Sequence, residues 1–197
     1  YLPLPSRFQF LPKKELQNFS WQSKEQQYSI KISKDFLRLL GYYIAEGCAQ
    51  KGYFLLSNTN PDVRKDIFQI LKELKLKWSL RKNKTKDIVV YNSFFADLLK
   101  ELCGQNASEK KLPFFWPNLS EKQLAFLLKA YLEGDGWVEE GSVVMVTKSR
   151  VLAYQLLYAF LHWGIWARCK KITKRAFNTN QKPTCYWRIT ISSQEEF

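Results

Sequence analysis

The chain has 197 residues, with 31 Lys and Arg against 18 Asp and Glu, a net charge of +13. That length fits one domain, or two small halves sharing a core, and 46% apolar with 25% charged residues excludes disorder as the main state. No apolar run approaches the roughly 20 residues of a membrane span, and no basic-then-apolar leader opens the chain. Tyr1 in place of Met leads to the expectation of a trimmed or processed start. The positive excess favours a polyanionic partner, nucleic acid first. Cys48, Cys103, Cys169 and Cys185 match no zinc spacing and read as free thiols of a reducing, intracellular compartment. The single histidine, His162, has no neighbour of its kind.

In chain order, Pro3, Pro5 and Pro12 predict an extended arm over residues 1–27. Tyr28–Ile32 alternates like a strand, and Ser33 caps a helix over 34–46. Tyr53–Leu56 is a strand, and Asn60-Pro61 opens a helix to Leu76. Trp78–Arg81 and Ile88–Tyr91 form a hairpin around the polar turn 82–87. A short helix covers Ser93–Cys103, and a loop covers 104–119. Ser120 and Gln123 then make a capping box for a helix reaching Asp135. Ser142–Val146 is a strand, Ser149 caps a helix ending near Gly164, and Ile165–Thr173 with Tyr186–Ser192 gives a second hairpin. A third helix of the second half would begin where the given sequence stops.

The order repeats at an offset of 89, which maps Leu39 to Leu128, Tyr42 to Tyr131, Gly47 to Gly136, Asn60 to Ser149 and Glu46 to Asp135. Two copies are too few for a solenoid. They predict a pseudo-twofold structure with a first repeat over 28–108 and a second over 109–197. Gly41 and Ala45, and Ala130 and Gly134, are each four residues apart, so each pair shares a helix face and permits close helix approach. Glu46 and Asp135 would then lie side by side at helix C-termini, where the partial negative charge disfavours an anion. A divalent cation with hard oxygen ligands, Mg²⁺, relieves that conflict, and in a basic protein it points to phosphodiester chemistry.

The two segments Leu39–Gly47 and Leu128–Gly136 resemble the paired motifs of single-chain LAGLIDADG homing endonucleases, and the likeness runs from about residue 28 to 192. The resemblance implies an α+β, pseudo-twofold saddle of two αββαββ(α) repeats, whose antiparallel sheets form a DNA-binding surface. It implies a monomer that uses Mg²⁺, with Ca²⁺ or Mn²⁺ as substitutes, to cut double-stranded DNA at a long, pseudo-palindromic site. An intron or intein setting follows from the same likeness. An RNA-binding intron maturase and a non-cleaving DNA-binding regulator are the alternatives on this fold. The metal site would comprise Glu46 and Asp135, with Gly47 and Gly136 beside them. The sixth motif position holds Ile44 and Glu133, and Glu133 is expected to face solvent or cap local structure. Lys110 (or its neighbour Lys111) and Lys148 are candidates to assist at the phosphate, and Asn58 and Thr147 to order the attacking water. Arg81, Lys82, Lys84 and Lys86 on one hairpin, and Lys170, Lys171, Lys174, Arg175, Lys182 and Arg188 on the other, are the expected DNA contacts.

Overall fold

The computed structural model describes residues 13–23, 26–82, 87–174 and 184–192. Strands β1 (Asn18–Ser23) and β2 (Gln26–Lys31) form an antiparallel hairpin. Over these residues the expected arm is corrected, and its border at Tyr28 falls inside β2. Phe19 and Trp21 alternate on β1, share a face, and are 8% and 4% exposed. Phe19 packs on Phe36 and Phe115, Trp21 on Phe94, and the Trp21 indole N–H donates to Glu101 at 2.9 Å. The three prolines that suggested an arm lie outside the described residues.

The first half continues with α1 (Lys34–Glu46), β3 (Gly47–Gln50), β4 (Tyr53–Leu56), α2 (Pro61–Glu73), β5 (Trp78–Leu80), β6 (Ile88–Val90) and α3 (Ser93–Cys103). The second repeats the order as α4 (Glu121–Asp135), β7 (Gly136–Glu139), β8 (Ser142–Thr147), α5 (Arg150–Leu161), β9 (Arg168–Lys174) and β10 (Thr184–Ile191). Each half holds a four-stranded antiparallel sheet, ordered β3-β4-β6-β5 and β7-β8-β10-β9. The fold is therefore the α+β pseudo-twofold arrangement, with α1 against α4 in the middle.

Local chemistry sets the boundaries. The side chains of Ser33, Asn60, Ser120 and Ser149 each accept a first-turn amide, and Gln123 completes the capping box at Ser120. Helix α2 ends at Glu73, short of Leu76, because Lys75 takes a left-handed conformation at φ 56° and the Leu76 amide turns back to the Leu71 carbonyl at 2.8 Å. Strands β3 and β7 had no sequence range of their own. Gly-Cys-Ala-Gln carries little strand propensity, and it is pairing with β4 that holds β3 extended.

The helix pair is packed at backbone distance. A Cβ on Gly41 would lie 2.3 Å from the Leu127 carbonyl oxygen and 2.8 Å from Ala130 Cβ, and one on Gly134 would lie 2.6 Å from Ala45 Cβ. These four positions thus bring α1 and α4 together. Tyr42, Tyr43, Tyr131, Phe54 and Phe115 fill the core around them, each under 3% exposed.

Candidate active site

Glu46 is the last residue of α1 and Asp135 the last of α4. Close approach of the helices carries both carboxylates to one cavity of about 430 Å³, which Lys110, Thr147, Lys148 and Tyr186 also line. Cys48 on β3, Val146 on β8 and Tyr186 on β10 border it, so residues of both sheets line it. Burial, and then the charge of Asp135, push the Glu46 carboxyl from 4.5 to about 7. Burial alone pushes Asp135 from 3.8 to about 7. Two carboxyls that resist ionisation together, with no basic side chain hydrogen-bonded to either among the described residues, suit a hard divalent cation. Among the described residues no group of three or more His, Cys, Asp or Glu is placed to hold a metal ion. Further ligands would therefore be main-chain carbonyls, water or a phosphate.

The structure separates Lys110 from Lys111. Lys110 is 5% exposed, whereas Lys111 is exposed. The Lys110 ammonium donates to the carbonyls of Tyr43 at 2.8 Å and Gly47 at 2.9 Å, and sits 3.8 Å from the Tyr43 ring centroid. Its burial lowers its pKa from 10.5 to about 8. This corrects two expectations. Lys110 borders the cavity but is committed to the end of α1, where a cation offsets the helix's negative pole. The Gly47 carbonyl is already taken by that ammonium, so it is a poor further ligand for a cation; Gly136 has no such partner among the described side chains.

Thr147 lines the cavity, and its hydroxyl oxygen accepts the Ser149 amide at 3.1 Å. Asn58, its counterpart, accepts the Asn60 amide at 2.8 Å and is not among the cavity's lining residues, which corrects its water-ordering role. Both side chains shape the turn from a strand into a helix. Lys148 is exposed at the cavity, 5.4 Å from the Tyr186 ring centroid. Glu133 points elsewhere: it accepts the Tyr42 hydroxyl at 2.8 Å and pairs with Lys129 at 3.7 Å.

Strand alternation sorts the basic residues. Ile189 and Cys169 are paired and face the helices, so Arg168, Lys170, Tyr186 and Arg188 face the open side of the second sheet. Lys171 falls on the opposite face, paired with the core-packed Trp187, and this removes it from the expected DNA contacts. Arg188 is tied to Glu139 at 3.0 Å. Arg81 and Lys82 are exposed at the end of β5. Lys84, Lys86, Arg175 and Lys182, and the side chain of Lys174, lie outside the described residues. Arg168 and Tyr186 share that face and were not among the expected contacts; two-residue spacing from Lys170 and Arg188 is the signal that points to them.

Two mirrored αββαββ units around abutting helices, with one acid at the end of each, define the LAGLIDADG class of fold. The chain matches the LAGLIDADG-like domain over residues 33–102 and 121–197, and it belongs to that family. It is 30% identical to the replication factor C small subunit of Methanocaldococcus jannaschii over 169 residues, 82% of this chain and 9% of that protein. It is 32% identical to a DNA polymerase of Thermococcus aggregans over 167 residues, 78% of this chain and 9% of that protein. The chain thus spans under a tenth of the length of either relative. Among solved structures, the homing endonuclease I-DmoI in complex with DNA and Ca matches with TM-score 0.55 at 12% identity, over 82% of this chain and 84% of that one. Full-length DUF199/WhiA from Thermatoga maritima matches with TM-score 0.56 at 12% identity, over 83% and 52%. Both likenesses, at 12% identity, are likenesses of fold alone. No helix among the described residues is long and apolar enough to cross a membrane.

Proposed function

We propose that the chain is a site-specific, Mg²⁺-dependent double-strand DNA endonuclease, acting as a monomer on a long, pseudo-palindromic target. The observation that carries the reading is the acid pair: Glu46 and Asp135 end the two central helices in one cavity lined by both sheets. A protein that only held DNA would gain nothing from two buried carboxyls that oppose the phosphates. Glu46 and Asp135 would hold the cation, and I-DmoI has been solved with DNA and with Ca or Mn. When bound, Mg²⁺ supplies Lewis acidity at the phosphate and lowers the pKa of an attacking water. Lys148, exposed at the cavity, would stabilise charge building on the phosphate. Thr147 accepts a main-chain amide and so keeps its own proton to donate to that water or the phosphate. Lys110 would hold the end of α1, and with it Glu46, in place. Arg168, Lys170 and Arg81 would bind the DNA backbone along the open faces.

The two relatives named above are replication proteins of which this chain covers only 9%, which supports residence inside a host protein, as an intein, over an intron-encoded origin. The test is incubation of plasmid bearing the uninterrupted host coding sequence with the protein, with Mg²⁺ or with EDTA. Linear product in Mg²⁺ and none in EDTA is expected. Tight duplex binding without cutting in Mg²⁺ or Mn²⁺ would replace this reading by a DNA-binding regulator, and preference for structured RNA by a maturase.

A further inference from the structure

The two open sheet faces occupy equivalent places but carry different chemistry. In the first sheet Phe54, Leu56, Ile88 and Val90 are fully buried on the side of the helices. Alternation therefore turns Tyr53 and Leu55 of β4, and Tyr91 just past β6, to the open side. Tyr53 and Tyr91 pack with ring centroids 5.9 Å apart, and Tyr91 is 70% exposed. Gln50 pairs with Tyr53 from the neighbouring strand β3 and is exposed. Among the described residues of this face, the charge of Arg81 is balanced by Asp87, whose main-chain carbonyl accepts the Arg81 amide at 2.9 Å.

At the same places the second sheet is polar and charged. The offset of 89 maps Gln50 to Glu139, Tyr53 to Ser142 and Leu55 to Val144, and Val144 is fully buried, out of reach of a base. Leu56 pairs with Ile88, and its counterpart Met145 pairs with Ile189, so Asp87 corresponds to Arg188 and Tyr91 to Ser192. The aromatic pair thus becomes two serines, with hydroxyl oxygens 3.5 Å apart, and the acid becomes an arginine. Arg188 stands on an inner strand. Glu139 holds it at 3.0 Å and also accepts the Trp137 indole N–H at 3.0 Å. An acid on a face turned to phosphates weakens binding by repulsion, so Glu139 calls for another purpose.

Base edges supply one. In the major groove Arg donates to guanine O6 and N7, Glu accepts from the cytosine amino group, Gln bonds adenine at two atoms, and apolar side chains touch the thymine methyl. We propose that the two faces read different base pairs. The first reads A·T pairs, with Gln50 on adenine and Leu55, Tyr53 and Tyr91 against thymine methyls. The second reads G·C pairs, with Arg188 on guanine and Glu139 on cytosine. Tyr53 and Leu55 are about 6.7 Å apart along the strand, or about two base-pair steps of 3.4 Å, so the A·T block spans about three or four pairs. The target departs from palindromy at these positions. Arg168 and Lys170, on the outer strand β9, are left to the phosphates. This assignment rests on the DNA-binding part of the function proposed above, and not on cutting.

Selection of bound duplexes from a randomised library, in EDTA, tests it. The retained duplexes should carry an A·T block on one side of their centre and a G·C block on the other. Deoxyuridine in place of thymidine in the A·T block removes only methyl groups, and should weaken binding about fourfold for each contacted methyl. The same replacement elsewhere in the duplex should change affinity by less than about twofold. Arg188→Gln should relax the preference for guanine in the other block by about tenfold and leave the A·T block as selected. Blocks of like composition on both sides, or affinity indifferent to deoxyuridine in the A·T block, would overturn the assignment while leaving DNA binding intact. Retention of no duplex, in EDTA or in Mg²⁺, would overturn it together with the DNA-binding reading.

Discussion

The acid pair can be tested without any DNA target, because burial gives it a signature in folding stability. In the folded protein Glu46 holds its proton to about pH 7, against 4.5 ordinarily, and Asp135 to about pH 7, against 3.8. Between about pH 4 and 7 the folded chain therefore binds protons that the unfolded chain has released, and stability falls as pH rises through that window. Below it the two acids cost nothing, and above pH 7 the whole penalty is present. At about 1.36 kcal/mol per pKa unit, the shifts correspond to at most about 3 kcal/mol for Glu46 and about 4 for Asp135. Water in the cavity screens both, so about 1–2 kcal/mol each is the expected measured penalty. Asp135→Asn and Glu46→Gln remove one penalty apiece. Each variant should melt about 2–8 °C higher than the parent at pH 8 in EDTA, and no higher at pH 4. Mg²⁺ should raise the melting point of the parent at pH 8 and leave that of either variant nearly unchanged. Thermal melts at pH 4 and pH 8, in EDTA and in Mg²⁺, make the measurement. A variant that melts at or below the parent at pH 8 in EDTA, with a parent indifferent to Mg²⁺, would refute the claim that these carboxyls are strained by burial and relieved by a cation.

Two further outcomes follow from the packing around the pair. Gly41→Ala drives a Cβ to 2.3 Å from the Leu127 carbonyl, a backbone atom that cannot turn aside. It should cost about 3 kcal/mol in urea unfolding, and a loss under about 0.5 kcal/mol would mean that the central helices sit further apart. Lys148→Met should slow cleavage by about 100-fold with DNA affinity little changed, whereas Lys110→Met should lower stability by about 1–3 kcal/mol by leaving two carbonyls without their donor. The reverse pattern in kinetics and melting would exchange the two roles.

Much of the design was legible along the chain, because it is written in local signals. Caps at Ser33, Asn60, Ser120 and Ser149 need only one side chain and the next turn's amides. The offset of 89 and the two acids needed only comparison of the chain with itself, since a repeated fold repeats its punctuation. What the linear order could not hold was direction. Lys110 and Lys111 are neighbours, yet one is buried against the end of α1 and the other is exposed, and only the path of the loop from α3 decides which. Lys170 and Lys171 look alike in sequence, but pairing with Arg188 and Trp187 sends them to opposite faces of a sheet. The polar run around Phe19 and Trp21 became a packed hairpin because Phe36, Phe115 and Phe94, distant in sequence, offered it an apolar floor. The pKa of each carboxyl likewise belongs to no single residue. It arises from the cavity that close contact between Gly41 and Leu127, and between Gly134 and Ala45, creates at the helix ends. Sequence thus set residue type, spacing and repeat, which are properties of the chain, while tertiary packing set burial and facing, which are properties of the neighbours each residue acquires.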